Sequence, residues 1–391
     1  MKLIFYSIIL NNHQANVADE LWRLLGEDYR FVELEKPNKA DGKGGTEDYA
    51  SRPYLIKAWA SAEAWREAMR LSHTAECCVF SGLSALPFAK TRMAEGLLSF
   101  DMSERWMKRG WPNVLSPAIR KMVAAYWLGG WRKKPIFKLC NGAFVAGDQH
   151  SLNTYKGKCF KWGYFTKVEE LDVEASPYVS TPDTMPLMWC SRYLKWKHPE
   201  LPVLLAKRLK DKGHKFRIDM YGTGEILMKT KELSYALGVN DVVQFMGIMP
   251  NEQLLAEMRS HTIFLFTSDR NEGWGAVANE SMANGCVPVV SNAIGSAPYL
   301  IQNGENGFMF RSAATNTSFR NPDKKALDDL TEKVERLLTN KEMMRQMRRN
   351  AVATMRDLWS PRHAAQSLLQ LIDDLQHGRE TSIKDGPCSR A

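Results

Sequence analysis

The sequence predicts an α/β protein built from two parallel-sheet domains. Three observations carry that expectation. Short apolar runs alternate with helical stretches through both halves of the chain, the pattern of parallel strands covered by helices on both faces. The length of 391 residues exceeds an ordinary single domain, and a hydrophobic content of 44% suffices for two cores. Residues 173–186, rich in Pro, Ser and Thr, separate the halves and read as a linker.

In the first half, strands are expected at Leu3–Leu10, Phe31–Glu33, Cys77–Phe80, Leu97–Phe100 and Phe137–Cys140. In the second they are expected at Leu187–Cys190, Phe216–Tyr221, Val242–Phe245, Ile263–Phe266 and Val287–Ser291. Helices are expected from Gly224 through Gly238, over Trp274–Asn284, Lys324–Thr339 and Lys341–Ala353, and after the Trp359-Ser360-Pro361 break to about Gln376. The expected division is a first domain over 1–172, the linker 173–186, a second domain over 187–355, a terminal helix within 356–376, and a polar, disordered tail over 377–391.

No run approaches 18 apolar residues, so no membrane-spanning helix is expected. The opening MKLIFYSIILNNHQ has a short apolar run without a small-residue cleavage site and reads as a first strand rather than a secretion signal. The seven cysteines, Cys77, Cys78, Cys140, Cys159, Cys190, Cys286 and Cys388, show no metal-binding spacing. They are expected to be free thiols in a reducing compartment, hence a cytoplasmic protein.

The densest chemistry lies between Ser268 and Gly307. Glu272 and Glu280 stand eight positions apart around a predicted helix start, close enough to face one ligand. The backbone amides of Gly273, Trp274 and Gly275 lie at that start, where a phosphate or sugar oxygen is favoured. A strand at Leu187–Cys190 is followed by Arg192 and Lys197, two cations that could stabilise a departing phosphate without proton transfer. Between them lie the Gly222-Thr223-Gly224 turn and the loop Gly247-Ile248-Met249-Pro250.

At these residues the chain resembles the retaining family-4 glycosyltransferases of the GT-B fold. The resemblance implies two Rossmann-like domains facing across a cleft, with a C-terminal helix crossing back to the first. It implies that Glu272 meets the donor sugar, that Glu280 meets the donor ribose, and that Arg192 and Lys197 clamp the pyrophosphate. Gly222 and Gly224 would border the nucleotide, and Ile248 and Met249 would contact the base. The donor is then a UDP- or GDP-sugar, a substrate, and no cofactor is expected. The chain departs from the family pattern at Ser191, where glycine is usual, and at Gly295-Ser296 and Tyr299, where Gly-Gly and an acid are common. No Asp-x-Asp occurs anywhere, so no metal site is expected beside the pyrophosphate.

The first domain resembles bacterial polysaccharide glycosyltransferases in the Asn-x-His-Gln start at Asn11–Gln14 and in SFDMSERWMKRG, LCNGAFVAGD and YKGKCFKWGYF. The implied acceptor is a glycan or a lipid-linked glycan. His13 sits where a loop at a strand's carboxyl end should face the cleft. It could bond the acceptor or donor phosphate, or cap the following helix. Glu104 could orient the acceptor hydroxyl, or simply pair with Arg105 or Lys108.

Charge is unevenly shared. Residues 1–165 hold 24 Lys and Arg against 16 Asp and Glu, and so carry +8 of the net +9. Residues 105–161 hold 12 basic residues and one acid, interleaved with Trp106, Trp111, Trp127 and Trp131. Such a region suits an anionic membrane surface, placing the protein peripherally on the inner face of the plasma membrane. The alternative is a solvated basic face with core tryptophans. No nucleic-acid module is recognisable. A nucleotide-sugar epimerase of the same fold and a non-enzymatic basic membrane- or nucleic-acid-binding protein are the rival functions.

Overall fold

The computed structural model describes residues 1–37, 49–108, 110–169, 171, 184–314 and 322–391. The linker expected over 173–186 therefore falls outside the described residues except for its last three. The chain forms two compact units: residues 1–167 with 358–391, and residues 168–357.

Unit 1 contains β1 (Leu3–Ser7), α1 (Asn12–Leu25), β2 (Tyr29–Glu33), β3 (Leu55–Lys57), α2 (Ala62–Thr74), β4 (Cys77–Ser81), α3 (Leu86–Glu95), β5 (Ser99–Ser103), α4 (Pro117–Leu128), β6 (Ile136–Asn141), α5 (Val145–Ser151) and β7 (Cys159–Trp162). Its sheet runs β3-β2-β1-β4-β5-β6-β7, every pair parallel. The central strands are buried on both faces, as a parallel sheet covered by helices requires.

Unit 2 contains β8 (Met185–Cys190), α6 (Glu200–Asp211), β9 (Phe216–Tyr221), α7 (Leu227–Ala236), β10 (Val243–Gly247), α8 (Asn251–Arg259), β11 (Ile263–Phe266), α9 (Val277–Ala283), β12 (Val287–Ser291), α10 (Ala297–Leu300), β13 (Phe308–Phe310), α11 (Lys324–Thr339) and α12 (Lys341–Ala353). Its sheet runs β10-β9-β8-β11-β12-β13, again wholly parallel. Helix α11 shows how the sequence builds the layer: Ala326, Leu327, Leu330, Val334 and Leu337 recur at three- and four-residue intervals and are all buried. Asp323 caps its start by accepting the Ala326 amide at 3.1 Å.

After Leu358 the chain returns to unit 1, where α13 (Pro361–Gln376) packs against α1. The tail, expected to be disordered, is ordered instead. Lys161 donates its amide to Ser389 at 2.8 Å, Cys388 to Lys161 at 2.7 Å, and Ala391 to Cys159 at 3.1 Å. Phe160 and Arg390 form an antiparallel bridge. Strand β7 is the last of its sheet, and its free backbone groups supply the hydrogen bonds that a polar composition does not advertise.

Candidate functional site

In an open α/β sheet, ligands bind at the carboxyl ends of the strands where the strand order reverses. In unit 2 that point lies between β8, which pairs with β9 on one side, and β11 on the other. The loops leaving β8 and β11 carry the residues singled out above. Lys197 and Glu272, 75 residues apart in sequence, form an ion pair through Nζ and Oε2, and Ser268 Oγ donates to the same carboxylate oxygen at 3.1 Å. The Lys197 ammonium also lies 4.3 Å from the centre of the Trp196 ring.

A short chain of hydrogen bonds fixes this pair. Trp189 Nε1 donates to Thr267 Oγ1 at 2.9 Å, and Thr267 Oγ1 donates to the Lys197 carbonyl at 2.7 Å. His198, not among the residues singled out above, holds the loop from the other side. Its backbone is left-handed at φ 50°. Its Nδ1 meets Glu200 Oε1 at 2.8 Å, while Nε2 lies 3.7 Å from Asp269 Oδ2. Burial opposes the charged imidazolium, but the two carboxylates outweigh it and push the His198 pKa up to about 9. A histidine beside the candidate lysine and two residues before a glutamate was the available signal.

Arg192 projects into solvent, and among the described residues no carboxylate pairs with it. The two cations therefore differ: Lys197 is buried and neutralised, and Arg192 is exposed and available. Gly222, expected to border the nucleotide, is packed against this loop. A Cβ there would lie 2.0 Å from the Ser191 carbonyl oxygen, and its φ of 121° also favours glycine. Gly224 lies next to Tyr193 in the same way. Ile248 and Met249 follow edge strand β10, the former exposed and the latter half-buried. With strands spaced by about 4.8 Å they stand roughly 10 Å along the sheet edge from β8.

Helix α9 starts at Val277, three residues later than expected, because Gly273–Ala276 form an irregular turn before it. The turn after β12 locks this segment: Gly295 donates to the Glu272 carbonyl at 3.3 Å and Ser296 to the Trp274 carbonyl at 3.2 Å. A Cβ on Gly295 would fall 1.7 Å from the Gly273 carbonyl oxygen, so this contact demands glycine. The Trp274 ring is fully buried and donates to Asn279 Oδ1 at 2.9 Å, so only its backbone can serve a ligand. Among the described residues no side chain bonds the half-buried Glu280 carboxylate. Burial pushes its pKa up to about 7. The Cys190 thiol, at the end of β8, is itself pushed up to about 12 by burial and then by the Glu280 charge, which places Glu280 toward the same strand end.

The two first-domain candidates meet in unit 1. His13 is the second residue of α1, which is capped by Asn11 rather than by the histidine: Asn11 Oδ1 accepts the His13 amide at 3.1 Å. The imidazole stacks on Tyr164 with ring centres 5.0 Å apart. Tyr164 donates to Glu104 Oε1 at 2.8 Å, and Lys108 donates to Oε2 at 2.5 Å. Both oxygens of Glu104 are thus engaged, one of them by Lys108, while Arg105 pairs with Asp148 at 3.0 Å. Burial lowers the His13 pKa and the Glu104 charge offsets part of that, so the ring is neutral at neutral pH. Beneath it a small cavity is lined by Gln14, Tyr29, Asn141 and Trp162 among others. Among the described residues, His13 Nδ1, Gln14 Oε1, Tyr29 Oη and Asn141 Oδ1 find no hydrogen-bond partner. Tyr164 was the partner that sequence reasoning missed, 151 residues from His13.

Residues 186–354 match the family described as glycosyl transferases group 1. That stretch, less than half of the chain, is similar to the group 1 glycosyl transferases. A D-inositol 3-phosphate glycosyltransferase of Corynebacterium aurimucosum is 28% identical over 135 residues, which is 33% of this chain and 32% of that protein. The match thus spans about a third of the relative's length. Among solved structures, HepE of Anabaena in complex with UDP superposes with a TM-score of 0.69 at 13% identity, covering 96% of this chain and 100% of that one. A glycosyltransferase from Rickettsia africae gives 0.62 at 14% identity, covering 96% and 98%. These likenesses establish the fold, which is GT-B.

Proposed function

We propose that the protein transfers a sugar from a UDP- or GDP-sugar to a glycan or lipid-linked glycan acceptor, with retention at the transferred carbon and without a metal ion. The observation that carries the reading is the grouping at the β8/β11 switch point: the Lys197–Glu272 pair, the uncommitted Arg192 and the unpartnered Glu280. As the bond between the sugar carbon and the phosphate oxygen breaks, charge gathers on the departing diphosphate. Arg192 meets that charge, and Lys197 turns from Glu272 toward it. Glu272, released, orients the sugar hydroxyls, and Glu280 accepts hydrogen bonds from the ribose. The amides of Gly273, Trp274 and Gly275 hold the sugar and distal phosphate. Gly222 and Gly224 bring backbone close to the nucleotide, and Ile248 and Met249 border the base.

In unit 1, neutral His13 with Tyr164 and Glu104 serves the acceptor. Two findings support a diphosphate donor: the group 1 match and the complex of HepE with UDP. We place the reaction in the cytoplasm, in polysaccharide or glycolipid assembly, at an anionic membrane surface that carries the acceptor. The basic excess of residues 105–161 supports that placement. No helix among the described residues is long and apolar enough to cross a membrane. The test is a screen of UDP-, GDP- and ADP-sugars for slow hydrolysis and for a rise in melting temperature. A hundredfold excess over Kd should stabilise by about 2.7 kcal/mol. A protein that neither hydrolyses nor is stabilised by any of the three is not a sugar-nucleotide transferase.

A further inference from the structure

Helix α4 presents an unusual face to solvent. Pro117, Arg120, Lys121, Ala124, Trp127 and Leu128 are its exposed positions, and their spacing of three and four places them on one stripe. The stripe carries no acid, and it ends in Leu128, which is 90% exposed. Trp111 and Leu115, in the turn leading into α4, are 65% and 76% exposed. Of the four tryptophans within residues 105–161, Trp131 is core and Trp106 is half-buried on Ser103, while Trp111 and Trp127 face outward.

At the end of α4 lies an open pocket of about 330 Å³ lined by Tyr126, Arg132, Asn153, Lys156 and Lys158. Three cations and no carboxylate line it. Lys158 is held in place, donating to the carbonyls of Arg132 at 2.8 Å and Lys134 at 2.6 Å. Arg132 and Lys156 have no carboxylate partner among the described residues. Asn153, which lines the pocket, belongs to a turn in which Asn153 and the buried Tyr155 both adopt left-handed backbone, at φ 55° and 47°. A tyrosine there is uncommon, and such strain gathers at ligand sites. The remaining cations of this region are largely spent elsewhere: Arg105 on Asp148, Lys108 on Glu104, Lys138 on Asp101 and Lys161 on Asp385.

We propose that this pocket seats the phosphate of an anionic membrane phospholipid, with Trp127 and Leu128 entering the acyl-chain boundary beside it. The cations supply what a phosphate needs, and the adjoining exposed apolar side chains favour a phosphate that is attached to hydrocarbon. A free phosphate would use the cations but gain nothing from Leu128. A nucleic acid backbone would gain nothing from it either. The proposal rests on the membrane placement above and sharpens it to named residues.

The experiment is sedimentation of the full chain with phosphatidylglycerol or phosphatidylcholine vesicles, at about 0.05 M and about 1 M salt, where the Debye length falls from over 10 Å to about 3 Å. The wild type should partition onto phosphatidylglycerol at low salt and leave it at high salt. Combining Arg132→Ala and Lys156→Ala should weaken partitioning by roughly thirtyfold. Leu128→Ser should weaken it by roughly tenfold while keeping the charge. Donor hydrolysis by unit 2 and thermal melting should be unchanged in both variants, since these side chains are exposed. Wild-type partitioning by the Arg132/Lys156 variant would keep the membrane placement and overturn the pocket. Release from vesicles by a few millimolar inorganic phosphate, or unchanged partitioning of Leu128→Ser, would show a free-phosphate site and overturn the lipid assignment. Failure of the wild type to bind anionic vesicles, with binding to single-stranded RNA instead, would overturn both.

Discussion

Replacing Glu280 with glutamine should make the protein more stable and a poorer binder of nucleotide. Among the described residues the carboxyl has no donor, and burial raises its pKa from 4.5 to about 7. Between those values the folded state holds its proton more tightly than the unfolded state. Stability therefore falls as pH rises from about 4.5 to about 7 and stays level above. A rise of that size corresponds to about 3 kcal/mol, and roughly 2 kcal/mol once the water that reaches this half-buried group is allowed for. Glutamine carries no such cost. The variant should match the wild type near pH 4.5 and exceed it by roughly 2 kcal/mol at pH 8. Urea midpoints of unit 2, measured across that range by tryptophan fluorescence, give the difference directly. Titration with UDP and GDP should show the opposite sign: roughly tenfold weaker affinity at pH 8, as charge-assisted bonds to the ribose become neutral ones. Wild-type affinity for nucleotide should itself fall as pH drops below 7. A stability difference independent of pH, or destabilisation at pH 8, would show that the protein itself satisfies Glu280 and refute the reasoning.

Three further outcomes follow from the same site. Arg192→Ala should lose about a hundredfold or more in turnover with an unchanged melting temperature, whereas Lys197→Ala should lose activity and also roughly 1–3 kcal/mol, because it strands Glu272; removing Lys197 and Glu272 together should cost less stability than the sum of the singles, as a double-mutant cycle in urea would reveal. His198→Asn, which tolerates left-handed backbone, should remove up to about 3 kcal/mol below pH 6.5 and progressively less as pH rises through 9, since a raised histidine pKa contributes stability that is lost when the ring deprotonates; a pH-independent effect in the urea titration would contradict the two-carboxylate clamp. EDTA should leave initial rates unchanged, and a loss reversed by Mg²⁺ or Mn²⁺ would overturn the metal-free mechanism.

The strands that position the donor site were legible because each is a compact apolar run, as at Ile263–Phe266 and Val287–Ser291. Strands β3 and β13, of three residues each, are too short to show a period, and β7 is broken by Lys161. The candidate residues Arg192, Lys197, Glu272 and Glu280 were readable in position but not in state. That Lys197 is already neutralised by Glu272 depends on two loops meeting at a switch point, which local pattern does not encode. The same holds for His13, whose stacking partner Tyr164 comes from the far end of the sheet. The tail was misread because composition speaks to burial of side chains, while its order comes from backbone bonds to a sheet edge.

The route of the chain, which leaves unit 1 at Lys167 and re-enters it at Leu358, sets a schedule on the ribosome. Unit 2 is continuous, and its last residue emerges before any of the segment that completes unit 1. The face of α1 that receives α13 stays bare until Pro361–Gln376 has been made. From Lys167 to Ala391 is 224 residues, about 10–45 s of synthesis at 5–20 residues per second. For that interval the nascent first sheet carries an uncovered apolar helix and an open β7 edge, so premature release or truncation before residue 361 should yield a chaperone-bound or aggregated half beside a folded one.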